Sequence, residues 1–386
     1  MKNKVFTDIS HFQKQKNGQH SFGDVILKKL IREENRKIAV LSDGMGSGIK
    51  ANVLAGLTAS MAINFIAEHR NISDASELIM NILPECSERK VSYSTFFIAD
   101  IEDDKSVNMI VYDSPLPVIV RNGRIFDPGW DHTELTSENH RGKRIYTAAL
   151  KPVSGDRIIG FTDGISQSGL GFGGEWGRDG AEKYILQTLS SDKEISAADL
   201  CEKLVNKAEM NDKFTLKDDA SVLALHFREP RELLICSGAP VSKENDFAYA
   251  QEFKNFEGKK IIAGGTTSEI IARELGLRFK DTMFSLNDGL PPISILESVD
   301  LVTEGVMTLS RAERILRDDS LDPVKDGAAE RLVRLVLNSD SIKFLTGGSS
   351  NEYHFDLQYK MRIQLIKDIA ELLERKFLKK TEIKFF

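Results

Sequence analysis

Five Asp-Gly pairs punctuate the chain, beginning at Asp43, Asp163, Asp179, Asp288 and Asp326. Asp-Gly is among the commonest ways to reverse a chain, so most of these pairs are read as turns. Two differ in what precedes them: Asp43 follows the aliphatic run Ile38-Ala39-Val40-Leu41, and Asp163 follows Ile158-Ile159-Gly160-Phe161. A carboxylate at the exposed end of a buried strand is aimed by a rigid element, as a chemical site requires. Asp24, between Gly23 and Val25-Ile26-Leu27, stands in the same relation to a strand, as does Asp218-Asp219 ahead of Ser221-Val222-Leu223-Ala224-Leu225. Acidic positions at four strand ends suit a hard divalent cation such as Mg2+ or Mn2+, which takes oxygen ligands. The seven histidines offer no paired spacing of the HExxH kind. Spacing alone leaves both readings open, turn and cation site.

The elements that would position these residues follow from periodicity. Ile38 to Leu41 is a buried strand, and Val53, Leu54, Leu57, Met61 and Phe65 recur at helical spacing after it. A helix is expected over Ala75 to Leu83, stopping before Pro84. Strands are expected at Ser94 to Ile101, Ser106 to Tyr112, Pro117 to Arg121, Arg157 to Phe161 and Ser221 to Phe227, with Asn122-Gly123 as a hairpin turn. Helices return at about Gly180 to Leu189 and Ala197 to Ala208. Strands clustered between helical stretches indicate an α+β layered domain over residues 1–228. The charged, proline-bearing segment Arg228-Glu229-Pro230-Arg231-Glu232 then marks a boundary.

The order Gly23-Asp24, Ser42-Asp43-Gly44-Met45-Gly46-Ser47-Gly48, Thr162-Asp163-Gly164-Ile165 and Asp218-Asp219-Ala220-Ser221 resembles the SpoIIE branch of the type 2C protein phosphatases. The likeness covers roughly residues 20–228, with Tyr93-Ser94-Thr95 and Ser114-Pro115-Leu116-Pro117 fitting less tightly. It implies an αββα sandwich with a binuclear Mn2+ or Mg2+ site at one end of its sheets. By position, Asp24 and Asp43 would be ligands, Asp43 bridging and Gly44 adding its carbonyl, with Asp163 and Asp218 completing the carboxylates. Asp219 stands where the wider family often has asparagine and is counted as supporting the metal set. The implied activity is hydrolysis of phosphoserine and phosphothreonine in a phosphoprotein, by a water that the ions activate. Gly44, Gly46 and Gly48 let the backbone approach such a site and adopt positive φ, and the helix that follows points its positive end at it.

The sequence also departs from the family pattern. No second acid follows Asp24, where Val25-Ile26-Leu27-Lys28 stands. Arg32, Arg121 and Arg141 are only surface-type candidates for holding a substrate phosphate. Trp130 to Lys151 lacks the expected Pro-x-Gly segment and reads as a surface loop. An alternative to the enzyme is therefore a catalytically weak, phosphatase-like scaffold that signals through its C-terminal domain.

Residues 229–386 have another texture and read as a smaller α/β domain, regulatory or ligand-binding. Leu233 to Cys236 and Lys260 to Ala263 are strand-like, and Thr266 with Glu269 is spaced as a capping box for a helix that Gly276 ends. Lys343 to Thr346, followed by Gly347-Gly348-Ser349-Ser350-Asn351-Glu352, repeats that grammar, and a last helix covers Leu357 to Phe377. Both Gly-Gly-hydroxyl segments are compatible with a capped helix or with a small anionic ligand. Asp318, Asp319, Asp322 and Asp326 read as a helix-end and turn cluster.

Across its 386 residues the chain is 41% hydrophobic and 28% charged with a net charge of −6, values of a globular protein without a nucleic-acid footprint. The C-terminal Lys379, Lys380 and Lys384 read as a solvated end. Cys86, Cys201 and Cys236 form neither a CxxC pair nor a disulfide framework. No signal-peptide core follows Met1, and the apolar stretch Val53 to Ala67 reads as too short for a bilayer. The expectation is a cytoplasmic protein without membrane or nucleic-acid partners.

Overall fold

In the first part of the chain, buried apolar side chains of the central strands join two sheets through one interior. The computed structural model describes residues 5–68, 94–134, 142–284, 293–318, 320–322, 324–348, 357–377 and 379–386. The helix expected over Ala75 to Leu83 lies outside these, as do Cys86, Tyr93, His140, Arg141, Asp288, Asp319 and Ser349 to Glu352. The chain divides into two compact units, Met1–Glu229 and Pro230–Phe386.

In the first unit, β1 (Phe6–Lys14), β11 (Ala220–Arg228), β10 (Arg157–Phe161), β6 (Val118–Arg121) and β7 (Arg124–Ile125) form a five-stranded sheet in that order. A six-stranded sheet has the order β2 (Asp24–Ile31), β3 (Arg36–Gly44), β4 (Ser94–Glu102), β5 (Ser106–Tyr112), β9 (Arg144–Leu150) and β8 (Asp131–Glu134). Leu41, Phe97 and Met109 of one sheet interlock with Ile158, Leu223 and Phe227 of the other. Gly160 lets this layer close: a Cβ there would stand 2.3 Å from the Phe97 ring. On the outer faces, α1 (Gly48–Glu68) covers the six-stranded sheet, while the short α2 (Asp163–Ser166), α3 (Gly177–Ser191) and α4 (Ala197–Asn211) cover the other. The unit is thus the αββα sandwich that the resemblance implies.

Three local readings change. The face that α1 buries is lined by Ala51, Ala55, Ala59, Ala62, Ile63 and Ile66, whereas Val53 and Leu57 are exposed. Small side chains let the helix lie close on the sheet, so the burial signal lies in the alanines rather than the bulkier residues. At 21 residues α1 is also long and apolar enough to cross a membrane by length and composition, unlike the shorter stretch read from the sequence. Its C-terminal end is held by Arg36, which pairs with buried Asp100 and donates to the Ile66 carbonyl at 2.7 Å. Finally, Trp130 to Lys151 is not simply a loop, because β8 and β9 pair within it.

The second unit is built on a parallel sheet. Its strands β16 (Leu301–Thr303), β13 (Lys259–Ala263), β12 (Glu232–Cys236), β17 (Ser341–Thr346) and β18 (Lys380–Phe385) lie in that order and run parallel. An antiparallel hairpin, β14 (Phe279–Phe284) with β15 (Ile293–Leu296), extends the β16 edge. Helices α5 (Asp246–Asn255) and α6 (Gly265–Leu275) pack on one face; α7 (Val306–Asp318), α8 (Ala328–Leu337) and α9 (Leu357–Phe377) pack on the other. Among the parallel strands, chain order runs outward from β12 through β13 to β16 and then, from β17, in the other direction to β18.

Helix α6 begins at Gly265 with Gly264 as its cap residue and no side-chain capping bond, so the Thr266–Glu269 capping box does not form. The helix starts too early in the chain for Thr266 to be its cap. Gly276 ends it in the left-handed region at φ 65°. The basic end is an edge strand rather than a solvated tail: Lys384 and Lys343 both pair with Glu252. Asp326 is tied to Arg331 and Arg334, and Asp322 accepts from the Val324 N–H, so that acidic run is structural.

Candidate metal centre

The antiparallel pairing of β2 with β3 sets Asp24 directly opposite Asp43, and Asp43 is in turn opposite Thr95 of β4. The carboxyls of Asp24 and Asp43 are close enough for each to raise the other's affinity for a proton or a cation. From the other sheet, β10 delivers Thr162 and Asp163 at its end, and β11 is preceded by Asp218 and Asp219. The charges of Asp163 and Asp218 bear on Asp43, so all four predicted carboxylates come to one end of the sandwich.

Polar groups hold the set in place. Asp24 Oδ2 accepts from Thr162 Oγ1 at 3.0 Å and from Ser221 Oγ at 2.6 Å, and Ser221 Oγ accepts from Gln13 Nε2 at 2.9 Å. Gln167 Nε2 donates to Asp163 Oδ2 at 3.0 Å. Asp219 acts as a clasp: Oδ1 accepts from the Lys16 N–H at 2.7 Å and Oδ2 from the Gly23 N–H. Both of its oxygens thus fasten the β1–β2 loop, which fits a supporting residue.

The glycines have separate reasons. Gly46 and Gly48 adopt φ of 103° and 71°. Gly44 does not; a Cβ there would stand 2.1 Å from the Ala51 carbonyl oxygen, so it is the close approach of α1 that demands glycine. At Gly164 a Cβ would be equally close to the Asp219 carbonyl.

Burial, followed by the neighbouring charges of Asp24, Asp163 and Asp218, pushes the Asp43 carboxyl far above the ordinary range. Burial also raises Asp24, against the lowering effect of the Ser221 and Thr162 hydroxyls. Asp218 is raised by burial as well, and Lys16 is the cation that opposes this. Among the described residues, no three acidic, histidine or cysteine side chains close into a finished cation cage. The donor set nevertheless fits a hard divalent cation: it is all oxygen, it is mutually repulsive, and a bound cation relieves that repulsion.

Of the arginines named from the sequence, the two that are described, Arg121 and Arg32, stand apart from this set. Arg121 is committed to Asp156 and the Lys151 carbonyl. Arg32 is in the β2–β3 turn, at the far end of the strands from Asp24 and Asp43. Gln13 and Lys16 carry no sequence signal of their own, whereas Thr162 and Ser221 lie inside the motifs and had been given no role.

Comparison with known proteins places the chain in a family. The family model for stage II sporulation protein E (SpoIIE) matches residues 33–228, just over half the chain, and the chain belongs to that family. Asp24 precedes the matched segment, and its place rests on its register with Asp43. No curated protein matches the sequence. Among solved structures, the PP2C phosphatase domain with a regulatory-domain fragment of SpoIIE from Bacillus subtilis is similar at 17% identity and TM-score 0.47, covering 57% of this chain and 63% of that one. The RsbU and RsbW domains of Rv1364c from Mycobacterium tuberculosis are similar at 16% identity and TM-score 0.45, covering 64% and 67%. RsbX in complex with magnesium is similar at 18% identity and TM-score 0.38, covering 58% and 95%. The chain spans less than two thirds of the first of these.

Proposed function

We propose that the first unit is a Mn2+- or Mg2+-dependent protein phosphatase that hydrolyses phosphoserine and phosphothreonine in a phosphoprotein. The observation that carries this reading is the register pairing of Asp24 with Asp43, with Asp163 and Asp218 brought to the same end from the second sheet. Asp24, Asp43, Asp163 and Asp218 would hold two cations, with the Gly44 carbonyl as a further ligand and Asp219 as the clasp. When bound, such a pair makes a water nucleophile available at neutral pH and neutralises phosphoryl oxygens. The chain's own residues keep the carboxylates ready: hydroxyl donation from Thr162 and Ser221 favours the ionised form of Asp24. The Asp219 clasp fixes the loop that leads into β2, and Gln167 orients Asp163. Lys16, whose charge opposes the raising of Asp218, is assigned the substrate phosphate in this reading. Two buried free thiols, Cys201 and Cys236, fit a cytoplasmic setting.

A second reading is the weak scaffold, favoured by the lack of another acid on β2 beyond Asp24. The test is Mn2+-dependent hydrolysis of a phosphothreonine peptide by the full chain and by Asp43→Asn. The phosphatase reading predicts turnover that falls by more than the ~10–100-fold typical of residues that only support ligands. Equal rates, or none in either protein, contradict it. Cation binding without turnover in the wild type selects the scaffold.

A further inference from the structure

Next to the candidate metal centre, two segments of the first unit present large apolar side chains to solvent. The loop after α2 carries Leu170 and Phe172, 52% and 41% exposed, and the turn after α4 carries Phe214, 72% exposed. Single exposed apolar residues are ordinary on protein surfaces. These are not dispersed. The Lys217 ammonium lies 4.4 Å from the centre of the Phe172 ring and donates to the Leu170 carbonyl. The ammonium of Lys213, the chain neighbour of Phe214, lies 4.8 Å from the same ring.

Hydrogen bonds fix the two segments to each other. Asp212, 3% exposed, accepts from the Gly169 N–H at 2.6 Å through one oxygen and from the Lys217 N–H at 3.2 Å through the other. Asn211 Nδ2 donates to Ser168 Oγ at 3.1 Å. Gly171 adopts φ 84°, and a Cβ there would stand 2.9 Å from Lys217 Nζ, so glycine is what admits the lysine to the loop. Lys213 and Phe214 hold φ of 54° and 63°, a left-handed conformation that bulky residues rarely adopt. Two ammonium groups gathered on one exposed ring repel each other, and among the described residues no carboxylate pairs with either. An acidic segment laid across them supplies the missing charge, while Leu170 and the two rings supply apolar contact.

The position of the surface in the chain determines what can reach it. Helix α2 begins with Asp163 and runs into the Leu170 loop, and Lys217 directly precedes Asp218, so both segments lead away from candidate metal ligands. A phosphoresidue at the centre brings its own neighbours here. At roughly 3.3 Å per extended residue, side chains within about four positions of it fall over this surface. We propose that Leu170, Phe172 and Phe214, with Lys213 and Lys217, seat the phosphoprotein substrate beside its phosphoresidue and select a flanking segment that is both acidic and apolar. This rests on the phosphatase reading and adds to it the local sequence of the substrate.

The experiment compares kcat/KM of the full chain with Mn2+ on three substrates. One is p-nitrophenyl phosphate, which is too small to extend beyond the metal centre. The others are phosphothreonine peptides of equal length, one with glutamate and leucine around the phosphoresidue and one with lysine and glycine. The wild type is expected to prefer the glutamate–leucine peptide at least ~10-fold, about the size of one anchoring contact. Phe172→Ala, and separately Lys213→Glu with Lys217→Glu, should each lower the ratio of that peptide's kcat/KM to the aryl phosphate's by ~10-fold, chiefly through KM. The lysine pair should also move the preference toward the lysine peptide. Residues that merely support the metal-centre loops would lower both substrates together and leave the ratio unchanged, and that result overturns the proposal. So does a wild type that turns over both peptides equally. Peptide turnover left intact by Phe172→Ala, with an oligomer dissociated in sedimentation velocity, gives the surface to a second copy and overturns it too. Absence of aryl phosphate turnover in the wild type is a separate failure, which strikes the phosphatase reading and this inference with it.

Discussion

At the scale of single residues, the site is a group of acids held under strain by their neighbours. Thr162 and Ser221 donate into one oxygen of Asp24, and removing those donors lowers its readiness to ionise. Thr162→Val or Ser221→Ala should therefore weaken Mn2+ binding by ~10–100-fold in calorimetric titration, with the melting temperature little changed. The raised carboxyls also set a pH dependence. Asp24, Asp43 and Asp218 bind protons more tightly in the folded chain, so their contribution to stability is full below the unfolded pKa of about 4. It is lost as pH rises through the raised values. Glu252, Asp322 and Asp326 are shifted down, so their contribution falls away only at more acid pH. In EDTA, the melting temperature should fall between about pH 5 and pH 8, Mn2+ should reverse the fall, and Asp43→Asn should flatten it. A melting temperature that rises over that range in EDTA contradicts the electrostatic account. The aspartates were visible in the sequence because each adjoins an aliphatic strand. Gln13 and Lys16 were not, since a polar side chain near a strand end carries no mark of what a distant loop brings to it.

At the scale of elements, packing rather than propensity decides the details. Gly160 is required because the Phe97 ring occupies the space a side chain would take. Gly160→Ala should cost about 1–3 kcal/mol in urea unfolding, the usual penalty of overpacking. A neutral result means that the two sheets do not meet as closely as described. Most strands were readable from alternation, and Asn122-Gly123 does turn between β6 and β7, with Asn122 at φ 52°. The buried face of α1 is not marked by bulk, because close helix–sheet packing selects alanine. The Thr266 cap was misread for a related reason. Thr267 Oγ1 is engaged by Gly238, a contact between segments 29 residues apart that no local spacing records.

At the scale of the whole molecule, the chain joins a PP2C-like sandwich to a parallel α/β unit. The change of texture after Arg228 was legible as charge and proline, but strand order was not. β18 is an edge strand of alternating charge, and its pairing with β17 comes from the end of the chain. If the two units fold separately, Mn2+ should raise the calorimetric transition of the first and leave that of the second; a single transition that Mn2+ moves as a whole would contradict that division. The central claim, however, belongs to the first unit: Asp24, Asp43, Asp163 and Asp218 form one cation site. Its most direct test is Mn2+ titration calorimetry of the full chain beside Asp43→Asn and Asp163→Asn. The account predicts two ions bound by the wild type and loss of binding in the Asp43 variant, with Asp163→Asn impaired as well. Absence of Mn2+ binding in the wild type, or an isotherm unchanged by Asp43→Asn, would contradict it.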